Sequence, residues 1–151
     1  MRIYLDNCCY NRPFDDLTQE RIHLESEAVL TILNLVQSGK LELIGSDVLR
    51  LEMSRMKDPI KRQRVIALYS IVENEIKYTD KIKERAEEIQ KKSNIKLFDS
   101  LHIASAEMGA ADVLLTTDDK LEKASAKLSL KLRVVNPLIF AWEVLNAERE
   151  Y

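Results

Sequence analysis

Glycine and proline are scarce, with three of each in 151 residues. That is too few for the many tight turns of an all-β barrel or sandwich, so long helices must supply most of the structure. The only two cysteines, Cys8 and Cys9, are adjacent, where a mutual bridge would be badly strained, and there is no Cys/His zinc spacing. A reducing, cytoplasmic setting is expected. No apolar run approaches the ~20 residues of a membrane span, and Asp6 arrives before any stretch long enough for a signal peptide. Neither sign of charge dominates, and a net charge of −2 excludes the global basic field of a passive nucleic-acid coat, though not a local basic patch. Tyr and Phe are few and form no base-stacking pattern.

What is present is a globular composition, 46% hydrophobic and 32% charged, which rules out disorder for most of the chain. The length suits a single domain spanning residues 1–151. Short apolar runs predict strands over Ile3–Leu5, Leu41–Ile44, Ile76–Tyr78, Val113–Leu115 and Arg133–Val135. Turn chemistry without periodicity predicts a loop from Asn7 to Asp16, feeding a helix that carries Val29, Ile32, Leu33 and Val36 and stops at Gly39. Ser46 or Asp47 caps the next helix, and Asp58-Pro59 divides it from one running to about Glu73. A charged helix follows Thr79 or Asp80. A helix rich in small residues comes next, with one face marked by Leu97, Leu101, Ala104 and Met108. Residues Thr116 to Asp119 cap a further helix, and Asn136-Pro137 opens the last. Short buried strands alternating with helices mean right-handed crossovers, a parallel sheet and a three-layer α/β/α sandwich.

In such sheets ligands bind beyond the carboxyl ends of the strands, where strand order reverses. Asp6 ends the first strand and Asp118 lies just past the fourth. Glu52 shares a helix face with Val48 and Met56, and Asp99 sits near the start of the small-residue helix with His102 one turn on. Each acid alone has an ordinary reading: Asp6 accepts loop N–H groups, Asp99 and Asp118 are N-caps, and Glu52 pairs with Arg55. Convergence on one rim is what those readings do not require. Carboxylates ~4 Å apart repel by about 4 kcal/mol at an effective dielectric of 20, so convergence demands a neutralising group. An all-carboxylate set selects Mg²⁺ or Mn²⁺ and suits phosphodiester hydrolysis. Six basic residues against two acids between Arg50 and Arg64 can hold a polyanion or simply form a solvated face. Arg12 can contact phosphate. His23 and His102 read as packing or hydrogen-bonding residues, and Cys8 and Cys9 as small buried side chains.

The strand-ending Asp of Ile3-Tyr4-Leu5-Asp6, the helix acid Glu52, the run Phe98-Asp99-Ser100-Leu101-His102-Ile103-Ala104-Ser105-Ala106 and the run Leu114-Leu115-Thr116-Thr117-Asp118-Asp119-Lys120-Leu121 together resemble the PIN-domain nucleases in order and spacing. The resemblance implies a parallel sheet of about five strands in the order 3-2-1-4-5 and an Mg²⁺- or Mn²⁺-dependent ribonuclease. It also implies a frequent homodimer, often the toxin paired with an antitoxin protein. By carry-over Asp6, Glu52, Asp99 and Asp118 are the metal-binding and catalytic acids; Asn7 and Arg12, from their place in the loop after Asp6, are expected to bind the RNA substrate. Many members have Ser or Thr where this chain has Asn7. Two alternatives stay open: a catalytically inactive PIN-like module that binds RNA or protein, and a phosphatase or phospho-acceptor domain with an aspartyl nucleophile. The latter usually carries a second Asp where this chain has Cys8.

Overall fold

Ile3, Tyr4 and Leu5 are each fully buried, a pattern possible only for a strand covered by helices on both faces. In the computed structural model this strand, β1 (Arg2–Leu5), lies at the centre of a five-stranded sheet with β2 (Glu42–Ser46), β3 (Asn74–Ile76), β4 (Val113–Leu115) and β5 (Arg133–Val135). All neighbours are parallel and the order is β3-β2-β1-β4-β5. The structure describes residues 1–149, so the last two positions of the expected 1–151 domain lie outside the described residues.

The helices are α1 (Asn7–Asn11), α2 (Glu20–Gln37), α3 (Asp47–Ser54), α4 (Pro59–Tyr69), α5 (Asp80–Lys91), α6 (Leu97–Met108), α7 (Asp119–Ala126) and α8 (Pro137–Arg149). In the two outer layers α5 packs on α6 and α2 on α8. Among the described residues no helix is long and apolar enough to cross a membrane. Local chemistry sets many of the ends. The Ser46, Asp58, Thr79 and Asp118 side chains accept N–H groups in the first turns of α3, α4, α5 and α7. Gly39, with φ +79°, lets the N–H groups of Gly39 and Lys40 return to the carbonyls of Val36 and Leu35 and so close the end of α2.

Four expectations need correction. The segment Asn7–Asp16 is not a loop: α1 is followed by a 3₁₀ turn over Arg12–Phe14, because burying Cys9 and Tyr10 outweighs weak local helix preference. The third strand lies two residues earlier than Ile76–Tyr78, and α4 ends at Tyr69 rather than near Glu73. There Asn74 and Glu75 align with Ile44 and Gly45 of β2, and their polarity hides the strand from a hydrophobicity pattern. The face of α6 also differs, since Leu97 and Met108 are exposed while Ser100, His102, Ile103, Ala104, Ser105 and Ala106 are buried. With α5, α3 and the sheet all against α6, its small polar residues go inside, where close approach matters more than hydrophobicity.

Gly45 of β2 admits no side chain, because a Cβ there would lie 2.1 Å from Tyr69 Oη. That oxygen accepts the Ser46 N–H at 3.1 Å and donates to Glu75 Oε2 at 2.8 Å, so the ring is held in place. A Cβ on Gly109 would instead meet only the Ile44 and Ile76 side chains, at 2.7 and 2.8 Å. Gly45→Ala is therefore expected to cost about 3 kcal/mol and Gly109→Ala about 1 kcal/mol, near the two ends of the usual range for overpacking. Urea unfolding midpoints check this, and equal midpoints would mean that Tyr69 swings aside freely.

Candidate functional site

The order β2-β1-β4 puts the reversal point between β1 and β4, with Leu5 aligned to Leu115, so that Asp6 and Thr116 leave the sheet side by side. Thr116 Oγ1 donates to Asp6 Oδ2 at 2.9 Å and accepts the Asp118 N–H at 3.2 Å, tying the loops after β1 and β4 together. Asp118 is indeed the N-cap of α7, its Oδ1 accepting the N–H groups of Lys120 and Leu121 at 2.9 and 3.2 Å. Its other oxygen has no hydrogen bond among the described residues. The cap and the convergent acid are thus the same side chain.

Glu52 does not pair with Arg55, whose guanidinium lies over the Phe98 ring at 5.7 Å. Instead Glu52 Oε1 meets His102 Nε2 at 2.9 Å. His102 is fully buried; its Nδ1 lies 2.7 Å from Tyr4 Oη, which lies 2.6 Å from Ser46 Oγ. An ionised Glu52 requires a proton on Nε2, so in a neutral ring Nδ1 accepts from Tyr4 and Tyr4 accepts from Ser46. Ser46 Oγ also takes the Leu49 N–H at 3.1 Å, so the relay begins at the cap of α3 and returns to the carboxylate that α3 carries. Burial alone would lower the His102 pKa, but the bond to Glu52 and the charges of Asp6, Glu52 and Asp99 hold it above its ordinary value.

Asp99, in the first turn of α6, is pushed up to about 6 by burial and by Asp6, an effect eased by His102 and reinforced by Asp118 and Glu52. All four predicted acids line one cavity of about 350 Å³, together with Asn7 and Arg12. Oxygens of Asp6 and Glu52 and a His102 nitrogen lie within 4.8 Å of one another, while Asp99 and Asp118 line the cavity outside that group. The lining also includes Cys8, Asn11, Asp15 and Lys61; Asn11 and Asp15 were not singled out by sequence for the site, while Lys61 belongs to the basic stretch read as able to hold a polyanion. Lys61 forms an ion pair with Asp15, and so does Arg12, whose Nε also donates to the buried Glu25 at 2.9 Å. The cationic side chains on the cavity wall are therefore engaged with Asp15 and Glu25 rather than with the four convergent acids.

The donor set fits a hard divalent cation: carboxylate oxygens in excess, one of them with a raised pKa, and an Asn7 Oδ1 that is buried with no hydrogen-bond partner among the described residues. Such an ion keeps several waters, through which the more distant acids can act. Thr116 had one sequence signal, its position just after β4, matching that of Asp6 after β1. The basic stretch Arg50–Arg64 is partly bound up in the fold: Arg50 pairs with Glu75, Arg62 Nη1 donates to the Met56 carbonyl at 2.8 Å, and Lys61 holds Asp15.

A parallel sheet in this order, with an acid-lined cavity at its reversal point, defines a class of α/β/α domains with a carboxylate site. The sequence model of the PIN domain matches residues 12–127, and the chain belongs to that family. Asp6 and Asn7 precede the matched segment and reach the site through β1. No curated protein matches the chain. Among solved structures it is similar to a chain of VapBC2 from Rickettsia felis bound to a DNA fragment from their promoter, with a TM-score of 0.63 and 18% identity, over 90% of this chain and 98% of that one. It is also similar to a chain of a toxin-antitoxin complex from Klebsiella pneumoniae, with a TM-score of 0.56 and 21% identity, over 89% of this chain and 97% of that one. At these identities the likeness is one of fold.

A carboxyl whose folded pKa is raised to about 6 destabilises the fold above that pH, and the penalty fades as pH falls from 6 toward the unfolded value near 4. Asp99→Asn is therefore expected to raise the melting temperature by a few degrees at pH 7.5 in chelator, with the gain gone near pH 4. Thermal unfolding at both pH values checks this. A variant no more stable than wild type at pH 7.5 would show that Asp99 bears no such strain.

Proposed function

We propose that this chain, acting as one domain, is an Mg²⁺- or Mn²⁺-dependent endoribonuclease. The observation that carries the reading is the gathering of four acids in one cavity, with Asp99 held near a pKa of 6 and the cavity's own cations engaged elsewhere. In this reading Asp6 and Asp99 hold the cation and Asp118 completes or positions its shell. When bound, the ion offsets charge that builds on the phosphoryl oxygens during hydrolysis.

Glu52 orients the attacking water, and the His102 bond fixes the carboxylate's direction. Tyr4 keeps its proton because burial pushes its pKa well up, so it remains a donor to His102. Asn7 and Arg12 line the cavity, and among the described residues Arg12 uses Nε and Nη1 in hydrogen bonds, which leaves Nη2 for a phosphate oxygen. The solved neighbour from Klebsiella pneumoniae is part of a toxin-antitoxin complex, which supports a toxin role with an antitoxin protein as partner; the unpaired cysteines support the cytoplasm as its location. Ile139, Trp142 and Leu145 are exposed on α8 at spacings of three and offer an apolar face for that partner or for a homodimer.

Purified protein is expected to degrade RNA with Mn²⁺ present. Asp6→Asn and Asp99→Asn should fall to background while retaining the wild-type circular dichroism spectrum. Equal degradation by wild type and both variants would defeat the assignment.

A further inference from the structure

The acid cavity does not stop at Asp99 and Asp118. The same two side chains form part of a second groove, of about 390 Å³, whose lining includes Lys96 ahead of α6, Lys120 and Lys123 on α7 and Lys127 at its C-terminal cap. Beyond it a third depression, of about 430 Å³, shares Asn94, Ala124 and Lys127 and adds Lys91 and Lys92. The three form one path that begins among carboxylates and continues among lysines.

These lysines are unusual for how little they do inside the fold. Lys91, Lys96, Lys120, Lys123 and Lys127 are exposed and make no ion pair among the described residues; Lys92 pairs with Glu88 at 3.2 Å. On α7 the spacing from 120 to 123 to 127 keeps three ammonium groups along one helix face, over about 10 Å. The like charges repel one another on a chain of net charge −2, and the fold offsets this only at the end of α7, where Lys123 lies in the last turn and near Asp119. The basic stretch on α3 and α4, by contrast, has Arg50, Arg62 and Lys61 engaged within the protein.

We propose that the groove formed by Lys96 and the lysine face of α7 holds the phosphate backbone of an RNA strand on one side of the bond presented to the acid cavity. The inference deepens the nuclease reading and rests on it for the choice of RNA. The groove itself specifies the rest. Lysine is a point charge without the fork that reads a base edge, and no aromatic side chain lines either depression for stacking. Contact is therefore with the backbone and indifferent to sequence. An acidic peptide would run into Asp99 and Asp118 at the cavity end, whereas a phosphodiester strand can enter there once a cation is bound.

The test uses the otherwise wild-type protein with Mg²⁺ present and a fluorescent single-stranded RNA of about 12 nucleotides, its backbone made cleavage-resistant with phosphorothioate linkages, followed by anisotropy. Lys123→Glu combined with Lys127→Glu is expected to weaken binding about tenfold or more. It should also reduce the log-log salt slope by about 1.4, the share of two phosphate contacts on a single strand. Lys81→Glu with Lys83→Glu, exposed on α5, makes the same change in net charge and should leave affinity within about twofold. Binding unaffected by the α7 pair, an equal loss in the α5 pair, or equal displacement of RNA by polyglutamate would each overturn the proposal. The two readings separate cleanly. RNA cleavage by the otherwise wild-type chain with binding untouched by the α7 pair sinks the groove alone. Groove-dependent binding in a chain that cleaves no RNA with Mn²⁺ sinks the nuclease and leaves the groove.

Discussion

Carboxylates drawn into one cavity repel one another, and the protein's own groups hold them there. Asp6 is restrained by the Thr116 hydroxyl, Asp118 by the first turn of α7, and Glu52 by a buried histidine. Asp99 has no such hydrogen bond among the described residues, and it is the acid whose pKa rises to about 6. The stress of convergence is concentrated on the member that lies in the first turn of α6, where backbone N–H groups favour negative charge. A cation would relieve it, so the stability of the fold and the occupancy of the cavity are coupled.

Behind the cavity a second set of buried charges secures the wall. Glu25 is completely buried, with Arg12 Nε and Arg21 Nε at 2.9 and 3.3 Å and Asn136 Nδ2 at 2.7 Å. Arg21 continues to Asp119 at 2.8 Å, so α2, the 3₁₀ turn after α1, α7 and the start of α8 are joined through one carboxylate. A buried ion pair adds little net stability, because desolvation offsets most of the attraction, but removing one member leaves an uncompensated charge. Its consequence here is geometric: the segment Asn7–Asp16, which lacks a hydrophobic pattern, is anchored at Arg12 and presents Asn7 and Asp15 to the cavity. The Ser46–Tyr4–His102–Glu52 relay does the same on the other side, joining β2, β1, α6 and α3 in one chain of hydrogen bonds.

Much of this was determined by the amino-acid sequence alone. Strand and helix alternation, the caps at Ser46, Asp58, Thr79 and Asp118, and the stop at Gly39 are written in local chemistry, because each concerns residues within one turn of one another. The acids Asp6, Glu52, Asp99 and Asp118 could be nominated because each sits at the end of a strand or on an early or inward turn of a helix. Only the tertiary structure decided which contacts they make. Hydrophobic periodicity carries no information about a polar edge strand such as Asn74–Ile76, or about a helix like α6 that is enclosed on several sides. His102 stands 50 residues from Glu52 and Asn136 stands 111 from Glu25, and no local preference acts over such distances. Nor does composition reveal that the free lysines lie beside the acids, since Lys96 and Lys127 come together only when the crossover from α6 through β4 to α7 closes.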